Sequence, residues 1–109
     1  MLNINNTMLQ PRFAQHSKNQ KQPYIIALKA DPITELSREN RKNHVDDFIT
    51  RLEQWLVDNN LKDDINVGIG LYAAIGVSIL GKKEAVKKLE KAFSEELKGV
   101  YPDTPKRLL

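Results

Sequence analysis

The stretch of sequence that decides the fold is residues 65–81, INVGIGLYAAIGVSILG, in which every odd position from 65 to 79 is apolar. This alternation has the period of a β-strand, whose successive side chains point to opposite faces. The run exceeds the usual length of one strand, and keeping odd positions on one face across a reversal requires an odd-numbered loop. We therefore predict a hairpin that turns at Tyr72-Ala73-Ala74. The alternating residues are Ile65, Val67, Ile69, Leu71, Ala73, Ile75, Val77 and Ile79.

An amphipathic helix is predicted on each side of this hairpin, because apolar residues there recur at three- and four-residue spacing. The first helix can be capped by Ser37, Asn40 or Asn43 and is expected to end near residues 58–60. Gly99 is expected to end the second helix. The first stripe comprises Val45, Phe48, Ile49, Leu52, Trp55 and Leu56, and the second comprises Ala85, Val86, Leu89, Ala92, Phe93 and Leu97.

Two further strands complete the predicted order of elements. Residues 24–28, YIIAL, are rich in β-formers and are followed by Pro32, and Val100-Tyr101 precedes Pro102. The resulting order, β-α-β-β-α-β, predicts an α+β, ferredoxin-like fold in which two helices cover one face of a four-stranded antiparallel sheet. We assign residues 23–103 to this domain, residues 1–22 to a flexible leader and residues 104–109 to a C-terminal tail.

The composition favours one small domain that folds by packing alone. The chain has 109 residues and no cysteine, which excludes disulfides and thiolate metal sites. Arg12, Lys18 and Lys21 lie in the leader, so 14 of the 17 basic residues remain to balance 14 acidic ones. The first residues lack the pattern of a secretory signal, and the glycine-interrupted stretch 65–80 is unsuited to spanning a membrane. We therefore expect a cytoplasmic protein that does not bind membranes.

Two glycine motifs resemble nucleotide-binding sequences but stand in the wrong context. Residues 68–73, GIGLYA, match the dinucleotide fingerprint, yet the strand alternation continues where that motif needs a helix. Residues 76–82, GVSILGK, match the phosphate loop, but Lys83 occupies the position of the Mg²⁺-binding hydroxyl. Too little chain follows to supply the remaining strands of either fold. We expect no cofactor and no enzymatic activity.

Metal and nucleic-acid sites are not indicated either. His16 and His44 have no second ligand at a metal-binding spacing, and Asp46 and Asp47 are neighbours whose side chains diverge on a helix. An RNA-binding sheet of this type requires several aromatic residues on its central strands, where this sequence offers Tyr72. We predict no metal site, no catalytic residue and no nucleic-acid partner.

The free face of the sheet is the main functional clue. If odd hairpin positions face the helices, the even positions form a flat, small and uncharged surface that can receive a close-packed partner without desolvating ions. Small residues could instead serve to limit aggregation there, or the leader could cover the face. The residues predicted on this face are Asn66, Gly68, Gly70, Tyr72, Ala74, Gly76 and Ser78.

Several segments together resemble the propeptides of subtilisin-type serine proteases and their stand-alone inhibitor relatives. Residues 24–29, YIIALK, look like the opening strand of that family. Residues 74–79 with 83–89, KEAVKKL, look like its third strand and second helix, and residues 100–103, VYPD, stand where its last strand ends. The resemblance covers about 80 residues.

This resemblance implies a non-enzymatic inhibitor that acts in trans on a subtilisin-type protease. The open sheet face, here 68–78, would dock on surface helices of the protease, and the tail would lie in the active-site cleft like a substrate. Leu109 would be nearest the catalytic serine. The tail residues assigned to the cleft are Lys106, Arg107, Leu108 and Leu109.

Two other functions use the same scaffold. The first is a homo-oligomer or small-ligand regulatory domain built on the open face, for which the tail is irrelevant. The second is an enzyme such as an acyl-phosphate hydrolase or a small dimeric oxygenase. An enzyme of that kind needs a phosphate-binding loop with Arg and Asn, or a lined pocket, and the sequence indicates neither.

Overall fold

The structure, a computed structural model, describes residues 20–32 and 37–103. The order of its elements confirms the predicted β-α-β-β-α-β arrangement. Residues 1–19 of the predicted leader, with His16, and the predicted tail 104–109 lie outside the described residues. The elements are β1 (Gln22–Leu28), α1 (Arg38–Asp58), β2 (Ile65–Leu71), β3 (Gly76–Gly81), α2 (Lys83–Ala92) and β4 (Leu97–Pro102).

The four strands form one sheet in the order β2-β3-β1-β4, and every neighbouring pair is antiparallel. β1 lies between β3 and β4, so the first and last strands of the chain are neighbours, and β2 and β4 form the two edges. This arrangement is ferredoxin-like, as predicted.

The core lies between the sheet and the two helices. The predicted α1 stripe is confirmed, with Val45, Phe48, Leu52 and Leu56 buried. The Phe48 and Phe93 rings meet edge to face at 5.1 Å between centroids, and the Trp55 and Phe93 rings do so at 5.6 Å. Phe93 follows α2 directly, so this aromatic cluster joins the two helices over the sheet. The sheet contributes Ile26, Leu28, Ile65, Val77 and Ile79, and α2 contributes Ala85, Val86 and Leu89.

The boundaries of the two helices differ in how well they were predicted. Ser37 caps α1, since its Oγ accepts a hydrogen bond from the Asn40 backbone N–H at 3.1 Å. The predicted end of α2 is wrong, because the helix stops at Ala92 and Leu97 begins β4. Leu97 is buried opposite Leu28 of β1. Pairing with a distant strand therefore decides the conformation of Leu97, where local periodicity suggested helix.

The hairpin turns where the alternation predicted. The odd positions on the two sides of the turn are brought to the same face in a different way from the predicted one. The turn comprises the four residues Tyr72–Ile75 in place of an odd number, and β2 carries one extra residue opposite β3 between Val67 and Gly70. The even-numbered turn and the single extra residue together have the same effect as an odd-numbered loop: Val67 before the bulge and Val77 after the turn face the same side. Val67 and Ile79 are therefore opposite each other, facing the helices.

Candidate functional site

The strand register places a continuous surface on the side of the sheet away from the helices. Ile26, Val77 and Ile79 are buried against the helices, so their neighbours along the strands face the other way. We call this surface the open face. It comprises Pro23, Ile25 and Ala27 of β1, Asn66, Gly68, Ile69 and Leu71 of β2, Gly76, Ser78 and Leu80 of β3, and Gly99 and Tyr101 of β4.

The open face is apolar and carries no charge at these positions. Ile69 is 69% exposed, Tyr101 is 52% exposed and Leu80 is 42% exposed, which makes them three of the most exposed large apolar residues that the structure describes. Lys21 lies at the margin, where its ammonium donates a hydrogen bond of 2.9 Å to Asn66 Oδ1. A partner can therefore cover the centre of this face without removing any ion from water.

A β-bulge shapes the part of the open face that lies on β2. Gly68 and Ile69 together oppose Ser78, whose Oγ accepts a hydrogen bond from the Ile69 N–H at 2.9 Å and donates to the Ile69 carbonyl at 3.4 Å. A Cβ on residue 68 would contact Ser78 Oγ and lie 2.8 Å from the Ser78 carbonyl oxygen. Gly68 is thus required by close approach, and the bulge presents Ile69 to solvent.

The structure differs from the predicted alternation at Gly70 and Tyr72, because the bulge reverses the parity of the strand beyond it. A Cβ on Gly70 would lie 3.0 Å from a methyl group of Val45 in α1, which places Gly70 on the helix side. The Tyr72 hydroxyl donates a hydrogen bond of 2.9 Å to Asp46 of α1, and the Lys42 ammonium lies 5.7 Å from the centre of the Tyr72 ring. Both predicted face residues therefore belong to the side that contacts α1.

The charges around this contact favour the hydrogen bond between Tyr72 and Asp46. Hydrogen bonds from Lys42 and then from Tyr72 lower the pKa of Asp46 below its ordinary value. The hydrogen bond to Asp46 raises the pKa of Tyr72, and the hydrogen bond to the same carboxylate raises the pKa of Lys42. Asp46 stays ionised and Tyr72 stays neutral at pH 7, so the pair fastens the hairpin turn to α1 and offers no group poised for proton transfer.

Of the other predicted residues, Gly76 and Ser78 lie on the open face, and Ala74 lies exposed in the turn. The sequence reasoning missed the large apolar side chains that dominate the face, namely Ile25, Ile69, Leu80 and Tyr101. Leu80 could have been found from the sequence, because it is an apolar residue at an even position of the hairpin. Nothing local marked Ile69, whose odd position assigned it to the core.

The acidic and basic side chains named in the sequence motifs have structural partners in the described residues. No group of three His, Asp or Glu side chains within 20–32 and 37–103 is placed to hold a metal ion. Asp46 and Asp47 diverge, as predicted, because Asp46 contacts Lys42 while Asp47 contacts Arg51. The phosphate-loop motif would assign the Lys82 ammonium to a nucleotide. In the structure this ammonium pairs with Asp64 at 3.2 Å.

Both glycine motifs are strand segments in the structure. Gly68 and Gly70 lie within β2, and the stretch from Gly76 to Gly81 is β3 itself. Neither supplies a loop whose N–H groups converge on a phosphate. Among the helices that the structure describes, none is long and apolar enough to cross a bilayer.

Comparison of the chain with protein-family models, with curated proteins and with solved structures finds no match. Function is therefore inferred from the geometry of the site. That geometry is a sheet face whose large exposed side chains are apolar, and the chemistry it supports is association with another surface.

Proposed function

We propose that the chain is a non-enzymatic protein-interaction domain that binds its partner through the open face. We further propose that the partner is a subtilisin-type serine protease, which the domain inhibits in trans. The observation that carries the proposal is the exposure of Ile69, Leu80 and Tyr101 on one face of the sheet, with the Lys21 ammonium at its margin. Burying such side chains is favourable at about 25 cal/mol per Å² of apolar area.

The size of the open face suggests that it does not bind alone. Four strands span about 14 Å between the outer strand axes, and strands of this length run about 20 Å. This area is smaller than the roughly 800 Å² that each partner buries in a typical stable complex. A second contact is therefore needed to reach high affinity.

The position of Asp103, the residue before the tail, supports residues 104–109 as that second contact. The Asp103 N–H donates a hydrogen bond of 2.9 Å to the carbonyl of Pro23, a residue of the open face. The tail thus starts at the margin of the same surface. A partner docked on the face has the tail within reach, which is the arrangement expected of an inhibitor whose tail occupies an adjacent active-site cleft.

The test is inhibition of a purified subtilisin-type protease by four versions of the protein. We expect the full chain to inhibit at micromolar concentration, and a chain ending at Asp103 to inhibit more weakly. Leu80→Asp should raise the inhibition constant at least tenfold, because it replaces an apolar contact with a carboxylate that docking must remove from water. Lys87→Asp places the same side chain on the exposed surface of α2 and should leave inhibition unchanged.

Each comparison in this experiment decides a different part of the proposal. No inhibition by the full chain at micromolar concentration would rule out the inhibitor function. Equal inhibition by the full and shortened chains would remove the role of the tail. Equal loss for Leu80→Asp and Lys87→Asp would show that the open face is not the docking surface.

The same apolar face also suits a second copy of the chain, as an oligomeric or small-ligand regulatory domain would use it. A flat surface led by Ile69, Leu80 and Tyr101 can pack against itself about a two-fold axis. Sedimentation of the unliganded protein separates this function from the first, since a mass that stays monomeric as concentration rises contradicts it.

A further inference from the structure

A groove lies on the other side of the sheet, between α1 and the edge strand β2. It has a volume of 310 Å³ and is lined by apolar residues of both elements, with the exposed Glu53, Lys62 and Asn66 around them. The apolar lining residues are Leu56 and Val57 of α1 and Ile65 and Val67 of β2. Val57 is 52% exposed, so an apolar side chain stands at the mouth of this groove. The volume is at the lower end of known ligand sites and is enough for one aliphatic side chain.

The backbone of β2 at this groove is free to pair with another strand. The Lys82 N–H donates to the Asp64 carbonyl at 3.0 Å, so Asp64 faces β3. Bonding direction alternates along an antiparallel strand, and Asn66 therefore also bonds β3 while the N–H and carbonyl of Val67 point to the outer edge. Within the part of the chain that the structure describes, no strand lies beyond β2.

The bulge restricts the length of any added strand. Regular pairing of β2 with β3 is interrupted between Val67 and Gly70. The Ile65 N–H already donates to the Leu61 carbonyl at 3.2 Å, which leaves both backbone groups of Val67 and the Ile65 carbonyl as the regular portion of the free edge. An edge interrupted in this way resists long sheet-to-sheet association. It can still accept a few residues of an extended peptide, and this favours a peptide over the edge of a second copy.

For a peptide that pairs antiparallel with β2, the course of α1 shows which rim residue each end of the peptide approaches. The Leu61 N–H donates to the Leu56 carbonyl near the start of β2, whereas Tyr72 after its end contacts Asp46 in the first half of α1. The helix and the strand are therefore antiparallel. A peptide antiparallel to β2 runs parallel to α1, from the side of Glu53 towards Lys62.

The rim charges indicate the composition of the peptide. Glu53 and Lys62 are both exposed, and neither has an ion-pair partner among the residues described. A peptide residue opposite Val67 places its side chain on the same face as Val67, next to the groove. The residue two positions earlier then lies towards Glu53, and the residue two positions later lies opposite Ile65, towards Lys62.

We propose that this groove binds an extended peptide of a partner protein by strand addition, with the pattern basic-x-aliphatic-x-acidic. The aliphatic side chain enters between Leu56, Val57 and Val67, and its backbone exchanges two hydrogen bonds with Val67. The basic and acidic side chains pair with Glu53 and Lys62. Main-chain bonds supply affinity and the alternate side chains supply selectivity, as in other peptide sites at sheet edges.

The experiment is a titration of the full-length, ¹⁵N-labelled protein with the peptide Lys-Thr-Val-Thr-Asp, acetylated and amidated at its ends. We expect concentration-dependent shifts centred on the amides of Val67 and Val57. Methylating the nitrogen of the central valine should weaken binding about three- to tenfold, the loss that one hydrogen bond implies. Absence of shifts at Val67, or equal binding of the methylated peptide, would overturn strand addition.

A charge exchange tests the peptide pattern. The unmodified protein should bind Lys-Thr-Val-Thr-Asp about two- to fivefold more tightly than Asp-Thr-Val-Thr-Lys, which is the range for exposed ion pairs. The double variant Glu53→Lys/Lys62→Glu should reverse this preference, whereas Lys87→Asp on α2 should retain it. A preference that the double variant does not reverse would refute the assigned roles of the rim residues. A mass that increases with protein concentration and is reduced by the peptide would assign the groove to a second copy.

The groove and the open face share Asn66 at the edge of β2, whereas Leu56, Val57 and Val67 line only the groove. The two functions can therefore be tested separately. Protease inhibition without peptide binding would refute only the groove. Peptide binding without inhibition would refute only the inhibitor function.

Discussion

At the scale of single residues, Arg51 bonds two carboxylates at once. Its guanidinium donates to both carboxylate oxygens of Glu96 at 2.7 Å and to Asp47 at 3.0 Å. These bonds join α1 to the turn before β4, where the Lys29 N–H also donates to the Glu96 carbonyl at 2.9 Å. The hydrogen bonds from Arg51 lower the pKa of Glu96, and those to Glu96 raise the pKa of Arg51.

The lowered pKa of Glu96 predicts a pH-dependent contribution to stability. A carboxyl group whose pKa is lower in the folded than in the unfolded state stabilises the fold above the unfolded-state pKa of about 4.3. That contribution is lost as the pH falls through the lower, folded-state value. Because both side chains are partly exposed, Glu96→Gln should reduce the free energy of unfolding at pH 7 by about 0.5–1 kcal/mol.

Urea unfolding at pH 7 and at pH 2 measures this effect, and the difference between Glu96→Gln and the unmodified protein should disappear at the lower pH. Glu95→Gln is the matched control, because the exposed Glu95 precedes Glu96 in the same turn and should have little effect at either pH. A difference of equal size at both values would contradict the assigned ion pair.

At the scale of elements, the bulge in β2 does most to organise the surface. It allows a four-residue turn to keep Val77 and Ile79 in the core, exposes Ile69, and sends Tyr72 to α1. The turn also holds Ile75 at φ 51°, a left-handed conformation that is costly for a β-branched residue. Ile75 is nevertheless buried, so its packing offsets the local strain.

The bulge predicts an unequal response of two glycines to the same substitution. Gly68→Ala should lower the free energy of unfolding by about 1–3 kcal/mol, because the new methyl group meets the backbone of β3 at Ser78. Gly99→Ala should cost less, since the nearest atoms to its Cβ belong to the outer end of the Tyr101 ring, which can move.

Chemical denaturation of both variants gives the comparison. Amide shifts of Ile69 and Ser78 should move in Gly68→Ala and stay unchanged in Gly99→Ala. Equal stability losses would indicate that the contact of residue 68 with β3 is not the source of the cost.

At the scale of the whole molecule, one core packs two helices against one face of a four-stranded sheet. The other face of the sheet takes no part in this core. Phe48 lies at the centre of this core, fully buried and in edge contact with Phe93 at the end of α2. The burial is one-sided: the helix side of the sheet is packed, whereas the open face is apolar and exposed. A domain built in this way can gain or lose a partner on the open face without rearranging its core.

This separation predicts different consequences for core and face substitutions. Phe48→Ala should lower the free energy of unfolding by about 3–5 kcal/mol, through lost burial and a cavity that the aromatic cluster cannot fill. Thr50→Ala on the exposed surface of the same helix should change it by less than about 0.5 kcal/mol. Thermal and denaturant unfolding provide the measurement, and a loss below about 1 kcal/mol for Phe48→Ala would show that the aromatic cluster does not hold the layers together.

The sequence by itself determined the order of the elements, the buried stripe of α1, three candidate caps that include Ser37, and the position of the hairpin turn. These features depend on periodicity and on local hydrogen bonding, which neighbouring residues specify. The tertiary structure alone decided that Leu97 begins a strand and that Gly70 and Tyr72 lie on the helix side. It also decided which large apolar residues are exposed on the open face, namely Ile69, Leu80 and Tyr101. Strand register is set by pairing between distant segments, and one extra residue in β2 reverses every side chain beyond it. The alternation that revealed the hairpin therefore predicted its turn, but not which side of the sheet each residue occupies.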